Sequence, residues 1–169
     1  MVALGKTAPA RHAVSLTRCP LRYTMPTETI GGPYLGVAVL CEKVLREADG
    51  VISLIRIVDR WNITGNTPEM PLSILRFTIV VMMKSGIHRG TARLTITPIS
   101  PSGAAMPAIG SSVFFEGDDD RGIAAIVPIG FPAQESGVYW FDVAVDDQTF
   151  TRVPLRVVYQ CNGPGNPSR

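Results

Sequence analysis

The chain has 169 residues, 46% of them apolar and 18% charged, which is enough for one domain with a real core and excludes a chain disordered throughout. Its 16 Gly and 14 Pro favour many turns and short elements, hence β over α. The formal charge of +2 is concentrated in the head: residues 1–24 hold Lys6, Arg11, Arg18 and Arg22 and no acid, so the remainder carries −2, and with no basic stripe interleaved with aromatics nucleic acid is excluded as a partner.

Residues 1–33, rich in Pro, Thr and Gly, read as a flexible N-terminal extension, or in part as a start assigned ahead of Met25. They lack the apolar segment of a secretory signal. No apolar run is longer than Ile79 to Met83, which is too short to span a bilayer. The expected location is the cytoplasm, away from membranes.

From Tyr34 the character changes. YLGVAVLC reads as a buried strand, and EKVLREADG as a helical turn or short strand ending at Asp49-Gly50, a pair suited to a type I′ turn. VISLIRIVDRW reads as one long strand, apolar on both faces and so central in its sheet. In LSILRFTIVVMM, Leu75, Phe77, Ile79, Val81 and Met83 share a face, with Arg76 and Thr78 on the other. KSGIHRG is a turn. TARLTIT then puts Ala92, Leu94 and Ile96 inside and Arg93, Thr95 and Thr97 outside. SVFFE and GIAAIVPI follow as strands.

The last ribbon, SGVYWFDVAVDDQTFTRVPLRVVYQ, spans Ser136 to Gln160. Tyr139, Phe141, Val143 and Val145 share one face, and Val153, Leu155, Val157 and Tyr159 another. Both faces must turn to the core together, so odd positions pair with odd. A three-residue loop, Asp147 to Thr149, satisfies this and sets Val143 opposite Val153 and Phe141 opposite Leu155. Trp140 then faces Arg156 on the outside, and Asp142 reaches Arg152 or Arg156. Pro154 requires an edge strand or a bulge.

About eight short strands with turns between them specify an antiparallel β-sandwich, Ig-like in general shape, with a barrel as the alternative. The sandwich spans residues 34–161, and 162–169 form a disordered tail.

Several of these residues carry a likeness: Leu40-Cys41, Asp49-Gly50, Ile57-Val58-Asp59, Gly137, Tyr139, Phe141, Val143, Asp146 and Pro154-Leu155. The chain resembles, over residues 35–159, a small family of uncharacterised bacterial domains. These open with an apolar strand ending near a Cys and close with a GxYxFxV strand and an RxPLxV strand. The resemblance implies a sandwich-like fold and brings no activity with it.

As chemistry, the sequence offers little. Cys19, Cys41 and Cys161 are far apart and in no CxxC pair, so neither a disulfide framework nor a zinc site follows, and Cys41 reads as a small core residue. The histidines are His12 in the head and His88 in a turn, the latter read as solvated. No catalytic residue and no cofactor is expected. The acidic loop EGDDDRG offers Glu116, Asp118, Asp119 and Asp120 as candidate ligands for a hard cation such as Ca²⁺. Trp61, Trp140, Asp142, Arg152 and Arg156 are the candidate binding residues, since aromatics and arginines on a sheet face anchor partners. The leading expectation is a non-catalytic module that binds a protein partner or assembles as a homo-oligomer. A Ca²⁺- or carbohydrate-binding domain is the alternative, and an enzyme with Cys41 as nucleophile beside His88 the second.

Overall fold

Val, Ile, Phe and Tyr recur at alternate positions, and that period of two gives strands with one apolar and one wet face. A computed structural model describes residues 31–117 and 121–162, and among them it contains nine strands and no helix. They are β1 (Tyr34–Arg46), β2 (Ile52–Ile57), β3 (Arg60–Gly65), β4 (Ser73–Lys84), β5 (Gly90–Ile99), β6 (Ile109–Phe115), β7 (Gly122–Ala133), β8 (Gly137–Val145) and β9 (Gln148–Cys161). The rest of the expected head and C-terminal tail, with Cys19 and His12, lies outside the described residues.

The strands form two open sheets, ordered β2-β1-β4-β7 and β3-β9-β8-β5-β6. The fold is therefore a β-sandwich, with nine strands rather than about eight. One pair departs from the antiparallel expectation: β3 runs parallel to β9, with Arg60 beside Arg156.

The core lies between the sheets. Leu75, Phe77, Ile79, Val81 and Met83 of β4 face Ala92, Leu94 and Ile96 of β5, as their alternation requires. Phe77, Phe131 and Phe141 meet at its centre, with ring centroids 5.3 to 6.1 Å apart and tilted or edge-on to one another.

The stretch VISLIRIVDRW is not one strand. It breaks at Val58 and Asp59, where the chain leaves one sheet for the other. The Val58 N–H donates to the Leu40 carbonyl, and the Asp59 carbonyl accepts from the Arg156 N–H, both at 2.8 Å. Arg56 takes φ +52° just before the crossing. β2 is thus an edge strand, not a central one, and its apolar second face is exposed at Ile55 and Ile57. The preceding hairpin also differs from expectation. Gly50 alone has positive φ, and its N–H closes a turn onto the Glu47 carbonyl, giving a three-residue loop instead of type I′.

The ribbon of β8 and β9 keeps the expected odd-with-odd pairing but not the expected partners. Phe141 faces Val153, Tyr139 faces Leu155 and Trp140 faces Pro154. Asp146 and Asp147, with φ of 46° and 68°, make a two-residue turn closed by Val145 and Gln148. That turn alone would pair odd with even. Between Thr149 and Thr151 the register shifts, so Phe150 is the extra residue of a bulge, and parity is restored. Turn and bulge together do the work assigned to a three-residue loop.

β9 lies inside its sheet, yet Pro154 fits. The Arg156 N–H points to β3, so even positions of β9 aim their N–H groups that way. β3 begins only opposite Arg156, and no described strand flanks Pro154 on that side.

Candidate functional site

Even positions of β8 and β9 face away from the core, which puts Trp140, Asp142, Arg152, Pro154 and Arg156 on the outer face of the five-stranded sheet. Asp142 and Arg152 are directly opposite and pair through two bonds, Nε to Oδ1 at 2.5 Å and Nη2 to Oδ2 at 2.9 Å. The carboxylate raises the Arg152 pKa above its ordinary value, first by hydrogen bonding and then by charge. The same guanidinium lies 5.8 Å from the Trp140 ring centre. Trp140 keeps 36% of its surface exposed. The stacked cation is therefore Arg152, not Arg156, because the register is two positions from the expected one.

Arg156 has other neighbours. It sits between Val138 of β8 and Arg60 of β3. Both arginines are exposed and neither forms an ion pair among the described residues. The sequence reading missed Arg60 and Asn62. They join this face only through the parallel pairing of strands almost a hundred positions apart, for which no local pattern exists. Further along the face, Arg93 lies beside Gly110 in a shallow hollow of about 560 Å³ with Thr91, Ser112 and Asp146.

A model of a family of unknown function (DUF6941) covers residues 36–158. The chain belongs to this family. The matched span opens within β1 and closes within β9, so it takes in both sheets of this DUF6941 domain. Among solved structures, an immunoglobulin-like protein from Pseudomonas aeruginosa is similar at 13% identity and a TM-score of 0.41, covering 76% of this chain and 98% of that one. No curated protein matches.

The other candidates fall elsewhere on this DUF6941 domain. Trp61 turns inward, half-buried, with its ring 6.4 Å from Phe77, so it is a flank of the core and not a displayed aromatic. Glu116 pairs with Arg121. Asp118, Asp119 and Asp120 lie outside the described residues, and among the described ones no three potential ligands cluster. Cys41 is fully buried, but on the side of its sheet away from the core, opposite Thr78. Burial raises its thiol pKa, which disfavours the thiolate that a nucleophile requires. His88 packs edge-on against Phe115 at 5.2 Å and is half-buried, not solvated. Thr78 and the end of β4 at Lys84 are roughly 20 Å apart at strand spacing, so Cys41 and His88 form no dyad. Cys41 and Cys161 are both free thiols.

Proposed function

We propose that this chain is a non-catalytic interaction module, and that the outer face of its five-stranded sheet binds an acidic, extended segment of another protein. The observation that carries this reading is the pair Arg60 and Arg156, side by side on neighbouring strands, exposed and in no ion pair among the described residues. Like charges directly opposite on paired strands are destabilising, so the fold gains nothing from them. A carboxylate between them relieves the repulsion and satisfies two guanidinium forks at once. Trp140, steadied by Arg152, supplies a rigid apolar contact beside them, and Trp and Arg are the side chains that dominate binding energy at interfaces.

The test is a titration of Asp- and Glu-rich peptides followed by tryptophan fluorescence. Saturable binding that weakens with salt is expected. Arg60→Glu with Arg156→Glu, or Trp140→Ala alone, should each weaken it by about tenfold or more. Binding that survives charge reversal overturns the reading, as does binding of single-stranded oligonucleotides in place of the acidic peptides.

A further inference from the structure

The longest free edge among the described strands belongs to β7, which pairs with β4 on one side and with no described strand on the other. Its register with β4 is unbroken from Gly122 opposite Lys84 to Ala133 opposite Ser73. Pro128 and Pro132 take part in that ladder without an N–H, so even positions of β7 must point their backbone groups away from β4. The odd position Arg121 agrees, since its carbonyl accepts from Ser85 of the β4 side at 3.0 Å. The N–H groups of Ala124 and Ile126 therefore face outward and have no partner among the described residues.

The two prolines blunt the C-terminal half of this edge. The N-terminal half, GIAAIV from Gly122 to Val127, has no proline, no charge and no bulge. An apolar edge left open in this way invites uncontrolled strand addition, and soluble folds normally guard it. On its outer side the small residues Gly36, Gly122 and Ala124 leave an apolar hollow of about 370 Å³ beside Val37 and Met82.

We infer that Gly122–Val127 pairs antiparallel with the same segment of a second copy of this chain. Three features favour a second copy over a foreign strand. The window is uncharged, so facing itself sets no like charges opposite one another. Its six residues are a full strand in length. A two-fold pair also uses both open edges and closes, which removes the aggregation hazard instead of passing it on. The four-stranded sheets of the two copies then form one continuous sheet, and a bulky side chain from the second copy fits over the hollow.

Sedimentation equilibrium of the full chain tests this. The wild type should be dimeric at micromolar concentration. Ala124→Pro extends the spacing of Pro128 and Pro132 and removes only an outward N–H, so it should stay folded by circular dichroism and sediment as a monomer. Ile126→Lys places a charge on the same window and should raise the dimer dissociation constant by about tenfold or more. It decides the matter should the proline variant fail to fold. A wild type that remains monomeric overturns the inference, and so does a dimer that both folded variants preserve. Neither result bears on the Arg60–Arg156 face, which lies on the other sheet.

Discussion

Tyr139 and Trp140 are adjacent in sequence, and the alternation of a single strand sends one into the core and the other to solvent. Tyr139 is 1% exposed, and its hydroxyl accepts the N–H groups of Gln134 and Glu135 at 3.2 and 3.1 Å and donates to the Glu135 carbonyl at 3.1 Å. Removing that oxygen strands two donors and an acceptor at a tight corner. Tyr139→Phe should lower stability by about 1–2 kcal/mol in urea denaturation. Trp140→Ala, losing mainly a partly exposed cation–π contact, should cost under about 1 kcal/mol in the same measurement. A larger loss at Trp140 than at Tyr139 would make the indole part of the scaffold. Which of the two points outward was legible from period alone. Its cationic neighbour was not, because that depends on register to within two residues.

At the scale of the element, the β8–β9 hairpin shows how much rests on the turn. Asp146 earns its left-handed conformation through a carboxylate bond: Oδ1 accepts the Arg93 N–H at 2.8 Å, while its own N–H donates to the Arg93 carbonyl at 3.0 Å. Asp147 holds φ 68° with no such bond. Asp147→Gly should therefore raise stability by up to about 1 kcal/mol, and thermal unfolding would show the gain. An unchanged or lower melting temperature would mean that the unfolded-state entropy of glycine outweighs the relief of strain. The burial pattern demanded even or odd parity and the sequence supplied it. A loop of three and a loop of two with a bulge satisfy that demand equally, so the choice between them was not readable. Likewise, nothing in VISLIRIVDRW marks Val58-Asp59 as a change of sheet, since both halves are strand-like and the break is made by bonds to distant strands.

For the whole molecule, the sandwich followed from alternation and turns, and the family match over residues 36–158 agrees with the likeness read at the two ends of the chain. The face that carries the proposed function was half legible. Trp140, Asp142, Arg152 and Arg156 come from one hairpin, where local pattern suffices. Arg60 and Asn62 reach it through a parallel contact between β3 and β9 that only the folded chain creates. The two sheets also divide the surface. One outer face bears Trp140 and the arginines, while the other displays Val37, Leu45, Ile55, Ile74 and Met82. The most direct test of the account is therefore chemical-shift mapping of the isotopically labelled chain during addition of an acidic extended peptide. The expected result is a set of saturable shifts confined to Arg60, Asn62, the Trp140 indole N–H, Arg152 and Arg156. Shifts centred on Val37, Ile74 and Met82 of the four-stranded sheet, or no shifts at all, would contradict it.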